Sequence, residues 1–257
     1  MGSILQTAER SSHLDPSENV IFQRHLIAYK HCANLINGTV LEIGCGEGYG
    51  ISELSSNADR YIAIDKFETK IRKNTLDNVE FRKMSVPPLT EIADNSVDFV
   101  VSFQVIEHIY DDEQFVSEAY RVLRKGGKFI LTTPNIYMTL SRNPWHIREY
   151  TPIQMREILR TSFSNVNVNG IFGNDKVMQY YNKNKASVEK YRRWDILRLE
   201  KNLPRWILRI PYDILNRFNR YKLQDKNSDL VKQIKYTDYN IKDVSDSCLD
   251  FFCVAVK

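Results

Sequence analysis

The chain has 257 residues, 42% of them apolar and 26% charged, with a formal net charge of +4. These are ordinary figures for a globular protein and predict one α/β domain with an appendage. No run reaches the roughly 18 apolar residues of a membrane span, Met1–Arg10 lacks an apolar signal core, and the four cysteines show no C-x-x-C spacing, so a cytoplasmic chain without disulfides or a metal is expected.

In chain order the pattern alternates between helix and strand. Ile21–Leu35 reads as a helix, with His25, Leu26, Tyr29, Cys32 and Ala33 at helical spacing. Val40–Ile43 is an apolar strand, and Gly50–Ser55 opens the second helix. Tyr61–Asp65 is a short buried strand ending in an acid, and Glu68–Thr75 a short helix. Val79–Lys83 is a strand, Pro87 and Pro88 mark a loop, and Val97–Phe103 is a continuous apolar strand suited to the centre of a parallel sheet. Asp111 and Gln114 form the capping-box pattern of the next helix, whose stripe is Phe115, Ala119, Val122 and Leu123 and whose end is Gly126. Lys128–Thr132 follows as a strand. Thr151 caps a further helix with Pro152 at its first position. Val166–Ile171 and Leu249–Val256 complete the strands.

Between the first strand and second helix lies Glu42-Ile-Gly-Cys-Gly-Glu-Gly48, a strand running into three alternate glycines. Glycine allows positive φ and close backbone approach to a ligand. A dinucleotide fingerprint needs a third glycine three residues after the second, but those positions are Tyr49 or Ile51. Glu42 and Glu47 are also unfavourable beside a pyrophosphate and suit a ligand carrying an amine. Asp65 stands 17 residues past Gly48, about the distance at which a second-strand carboxylate meets a ribose diol.

These residues resemble the class I S-adenosylmethionine-dependent methyltransferases. The likeness continues through Asn95–Ile109 and Leu123–Asn135, and covers about residues 20–172. It implies a Rossmann-like, doubly wound α/β sheet of seven strands in the order 3-2-1-4-5-7-6, the last strand antiparallel. Residues 1–173 and 247–257 would form the cofactor-binding domain, and 174–246 a helical insertion before the last strand. The implied S-adenosylmethionine contacts are Glu42, Gly44, Cys45, Gly46, Gly48, Asp65, Lys66, Met84, Ser85, Gln104 and Val105. Ser85 stands where the family often has an acid for the adenine amino group, and Cys45 reads as a small packing residue rather than a nucleophile.

Methyl transfer from a sulfonium needs alignment and a place for the acceptor's proton. His146 is the preferred base, since an imidazole titrates near neutrality and this one lies in a loop. Glu149 and His108 accompany it. The alternative is that His146 and Glu149 brace the loop, and that the Glu107-His108 pair seats the following helix. Arg24, His25, Tyr137, Arg148 and Tyr150 are the expected acceptor contacts. Asn143–Thr151 resembles a segment of bacterial methyltransferases acting on small molecules and surface-glycan precursors. This favours an anionic or sugar-containing acceptor methylated at oxygen rather than nitrogen. A nucleic-acid methyltransferase is the alternative. Ser102-Phe-Gln-Val105 is neither the Asn/Asp-Pro-Pro-aromatic segment nor the Pro-Cys nucleophile expected there. A non-catalytic protein retaining the fold is a third reading.

From Asn174 to Lys222 there are 13 Lys/Arg against 5 Asp/Glu, a balance of +8, so the remainder of a +4 chain carries about −4. Within this segment, Ile207, Ile210, Ile214, Phe218 and Tyr221 share a helical stripe between arginines, and Pro211 is expected to kink or divide the helix. An amphipathic helix ordinarily buries its stripe, which predicts a cap packed on the core. The arginines could instead hold an anionic substrate, or residues 203–222 could touch an anionic membrane surface transiently. No nucleic-acid recognition module is present.

Overall fold

The computed structural model describes residues 15–68, 76–193 and 199–257. The expected helix over 68–75 falls outside them from residue 69 on, as does Met1–Arg10. The chain divides into two compact units. The sheet unit comprises Leu26–Met138, Ile147–Phe172 and Ile241–Lys257; the helical unit comprises the segment ending at His25, Thr139–His146 and Gly173–Asn240.

The strands are β1 (Thr39–Ile43), β2 (Arg60–Asp65), β3 (Val79–Lys83), β4 (Val97–Phe103), β5 (Leu123–Pro134), β6 (Asn165–Gly173), β7 (Tyr239–Asp243) and β8 (Asp250–Val256). They form one sheet in the order β3-β2-β1-β4-β5-β8-β6-β7. The first five in that order are parallel, and β8 is antiparallel to both β5 and β6. The expected order is thus found with one strand added. The count of seven is corrected to eight by β7, a five-residue strand in which Tyr239 and Ile241 alternate with polar residues. β5 also begins at Leu123, so α3 ends before Gly126 rather than at it.

In the sheet unit, Leu41, Ile43, Ile64, Val100, Phe129 and Leu131 are fully buried, as strands covered on both faces require. Helix α1 (Asn19–Ala33) contributes Tyr29, edge-on to Phe103, while His31 lies edge-on to Phe252. The short α2 (Ile51–Leu54) follows the glycine turn. α3 (Asp112–Val122) starts at Asp111, whose side chain accepts the Gln114 N–H, and buries Phe115, Val116, Ala119 and Val122. α4 (Pro152–Arg160) has the full capping box, with Thr151 and Gln154 bonded reciprocally, and buries Met155 and Leu159.

The helical unit contains α5 (Asp175–Arg192), α6 (Leu199–Asn202), α7 (Arg205–Lys226) and α8 (Ser228–Gln233). It gathers in two segments that the sequence reading had assigned to the other domain. Asn19 Nδ2 donates to the carbonyls of Val231 (2.6 Å) and Ile234 (3.0 Å), and the Trp145 indole donates to Asp213 (3.0 Å).

Pro211 lies inside α7 without dividing it, the helix running on for 22 residues. The stripe does not pack on the core as expected. Ile210 is 73% exposed, Ile214 62% and Phe218 58%, with Trp206, Ile207, Leu215 and Tyr221 also exposed. The inward face is instead held by polar groups. Asn219 is buried, accepts from Ser187 Oγ (2.6 Å) and donates to Asn184 (2.8 Å), while Arg220 pairs with Glu18 (3.4 Å).

No helix among the described residues is long and apolar enough to cross a membrane.

Candidate active site

Parallel pairing aligns the carboxyl ends of β1, β2, β3 and β4 along one edge, where open α/β sheets bind their ligands. β1 enters the glycine turn there. The N–H groups of Gly44 and Cys45 donate to the Ile64 carbonyl (2.8 and 3.1 Å), which pins the turn to β2. Gly44, Gly46 and Gly48 have φ of 80°, 58° and 83°, in the left-handed region that favours glycine. A Cβ at Gly44 would lie 2.4 Å from Val105 Cγ2, so the turn seats directly on the end of β4. A Cβ at Gly46 would meet nothing within 4 Å. Gly46 is therefore where the turn opens outward.

Asp65, at the end of β2, spans this opening. Its Oδ2 accepts the Gly46 N–H (3.0 Å) and its Oδ1 the Phe67 N–H (2.8 Å). The Asp65 carbonyl accepts the Met84 N–H (2.9 Å), which brings the end of β3 alongside. Met84 is buried, whereas Ser85 and Lys66 are exposed. Gln104 sits at the end of β4 with φ of 58°, an uncommon conformation for a non-glycine residue. It is held there by its N–H to the Thr132 carbonyl (2.9 Å) and by its side chain to Thr132 Oγ1 (3.3 Å). Strained backbone of this kind concentrates at ligand sites.

Glu42 lies below the turn rather than on its open side. It is 1% exposed, and its two oxygens accept the hydroxyls of Tyr29 (2.8 Å) and Tyr61 (2.9 Å). Burial pushes its carboxyl up to about 7, against the opposing effect of the two tyrosine hydrogen bonds and with some help from the nearby Asp65 charge. Burial likewise raises Tyr29 and Tyr61 well above the ordinary phenol range, and the Glu42 charge adds to it. A Cβ at Gly50 would fall 2.0 Å from the Tyr29 ring, so the tyrosine fixes both the acid and the turn's exit. The sequence reading missed Tyr29 and Tyr61 as supports; their place on a helix stripe and a buried strand marked them only as core.

The expected catalytic residues divide between the units: His146 belongs to the helical unit, His108 and Glu149 to the sheet unit. Asn143 makes a tight turn, its Oδ1 accepting the Trp145 N–H (3.0 Å). That leaves its Nδ2 toward His146 Nε2 at 2.8 Å. With the amide oriented by Trp145, Nε2 is the acceptor and the neutral ring carries its proton on Nδ1. In the helical unit the Trp145 ring also lies 4.5 Å from the Arg209 guanidinium.

In the sheet unit, Glu107 is buried. Its carboxylate accepts the Thr133 hydroxyl (3.0 Å), and its carbonyl accepts the N–H groups of Ile147 (2.6 Å) and Arg148 (3.3 Å). Buried Asp112 accepts from Arg148 Nη1 and from the Tyr150 hydroxyl (2.7 Å). This clasp raises Arg148, and burial followed by the Asp112 bond raises Tyr150. Tyr150 is 1% exposed and packs in the core. Tyr137 is exposed, and Arg24 and His25 are half-buried in the helical unit.

Residues 41–131 match the family model described as Methyltransferase domain. A "Probable S-adenosylmethionine-dependent methyltransferase" of Mycolicibacterium smegmatis is 41% identical over 164 residues, 61% of this chain and 63% of the relative. One of the same description from Mycobacterium tuberculosis is 37% identical over 175 residues, 65% of this chain and 64% of the relative. The matches thus span less than two thirds of either relative's length. Among solved structures, a "possible histamine N-methyltransferase" of Thermotoga maritima superposes with a TM-score of 0.57 at 15% identity, covering 93% of this chain and 91% of that one. That likeness carries the fold. The matched region is similar to a methyltransferase domain, and the two relatives are described as dependent on S-adenosylmethionine. The residues of this chain fit that group: an open glycine turn with no Cβ to fill it, and a carboxylate at the neighbouring strand end.

Proposed function

We propose that the protein transfers a methyl group from S-adenosylmethionine to an oxygen of a small acceptor that is anionic or carries a sugar. The observation that carries this reading is the Gly46–Asp65 pair at the mouth of the sheet, an outward-opening turn bridged by an acid suited to a ribose diol. When bound, S-adenosylmethionine supplies an electrophilic methyl on its sulfonium. Asp65 would hold the ribose, the Gly44–Gly48 backbone the amino-acid portion, and Met84 and Ser85 the adenine side. Gln104 and Val105 would face the methionine end.

On this reading the acceptor's proton goes to His146 Nε2. That nitrogen already accepts from Asn143, so the amide must turn aside as the acceptor arrives. Glu149 and His108 position their own segments, and Arg24, His25, Tyr137 and Arg148 contact the acceptor. Arginine suits carboxylate or phosphate through paired N–H groups. The net positive charge of residues 174–222 supports an anionic acceptor.

The test is to incubate the protein with methyl-labelled cofactor and matched acceptor sets: carboxylated, phosphorylated and nucleotide-linked sugars, their neutral counterparts, and RNA and DNA. Label in the anionic sugars supports the proposal. Label only in nucleic acid, or only in the neutral set, overturns it.

A further inference from the structure

Helix α7 folds with its polarity reversed. At about 100° per residue, Trp206, Ile207, Ile210, Ile214, Phe218 and Tyr221 fall on one side of the helix. All six are exposed, from 38% at Ile207 to 73% at Ile210. The opposite side gives the helical unit Asn219, bonded to Ser187 and Asn184, and Arg220, paired with Glu18, with Leu223 as its buried apolar contact. A helix whose buried anchors are largely amide and ion-pair groups gains little from packing its apolar residues. Those residues remain in water unless something apolar covers them. Exposed patches of this kind mark interaction surfaces.

We propose that the outward face of α7 docks on an anionic lipid bilayer. Charge decides the occupant. Arg205–Lys226 carries six Lys/Arg against two Asp/Glu, and on the helical wheel Arg217 falls among the stripe residues while Lys222 borders the Phe218 edge. An interfacial helix combines these features: an apolar face that sinks into the headgroup–acyl boundary, cations at its margins for anionic headgroups, and amphipathic rings at the water interface. Trp206 and Tyr221 supply such rings at the two ends of the stripe. Asp225 follows the last stripe residue and closes the apolar face at its carboxyl end. A second copy fits less well, because the helix as a whole is basic and two copies would set like charge against like. The proposal does not depend on the acceptor.

The experiment is co-sedimentation of the full chain with vesicles of phosphatidylcholine alone and with roughly 30% phosphatidylglycerol, at low salt and at about 0.5 M salt. The wild-type chain is expected to bind the mixed vesicles at low salt, to lose most of that binding at high salt, and to leave phosphatidylcholine vesicles in the supernatant. Ile210→Gln with Phe218→Gln should weaken binding at least about tenfold, with the melting temperature and S-adenosylmethionine affinity retained. Arg217→Gln with Lys222→Gln should weaken it without altering the apolar stripe. Absence of binding to both vesicle types, or equal binding to both, overturns the proposal. So does a dimer in light scattering that the Ile210/Phe218 variant dissociates, since a second copy would then own the face.

Discussion

The cofactor mouth of the sheet unit and the outward face of α7 treat polar and apolar groups in opposite ways. At the mouth an ionisable side chain, Glu42, is taken out of water and supported by two buried tyrosine hydroxyls. On α7 a row of large apolar side chains is left in water, while an asparagine is buried. The lesson is that departures from ordinary burial point outward from the fold to what the protein meets. In the first case the cost braces a glycine turn; in the second it leaves an apolar face exposed.

Gly44 combines a positive φ with a Cβ position already occupied by Val105. Gly44→Ala is expected to reduce S-adenosylmethionine affinity by about a hundredfold, a loss of about 2.7 kcal/mol. Calorimetric titration would check it, with circular dichroism confirming the fold. Affinity near wild type would mean that the turn does not seat the ligand.

Glu42 offers a pH test. Its carboxyl titrates near 7 in the folded protein and near 4.5 when unperturbed. Between those values the folded chain holds a proton that the unfolded chain has lost, so stability falls as pH rises through this window and is level above it. Glu42→Gln should remove that slope, worth up to about 3 kcal/mol, in denaturant titrations at a series of pH values. A variant curve parallel to wild type from pH 4.5 to 7 would show that Glu42 is charged in the fold.

On α7 the expected effects are smaller and reversed from the usual pattern. Asn219→Ala strands its partners on Ser187 and Asn184 and should cost about 1–3 kcal/mol. Ile210→Gln, on the exposed face, should change stability by no more than about 0.5 kcal/mol. If Ile210→Gln proves the more damaging of the two in thermal melts, the stripe is packed and the helix is not inverted.

Much of the sheet unit was legible because its signals are local. Val97–Phe103 and Val79–Lys83 appear as strands at the expected bounds. Thr151, Pro152 and Gln154 announce the start of α4 by hydrogen-bonding chemistry confined to four residues. The glycine spacing marked a turn whose three glycines all take positive φ, for the same reason. What was hidden depends on partners distant in sequence. β7 is only five residues long, and its short alternation of Tyr239 and Ile241 with polar residues lies inside a segment expected to be helical. Tyr150 carries the pattern of a loop aromatic, yet Asp112, 38 positions away, draws it into the core. Periodicity found the α7 stripe but could not tell which way it faced, since that follows from Asn219 meeting Asn184 and Ser187 on another helix.

The most direct test of the account is calorimetric titration of the full chain with S-adenosylmethionine, beside Asp65→Ala. The account expects saturable binding by the wild-type chain well below about 1 mM, weakened about tenfold or more when the carboxylate bridging Gly46 is removed. No binding by the wild-type chain up to about 1 mM, or equal affinity in the variant, would contradict the claim that the Gly46–Asp65 mouth is where the cofactor is held.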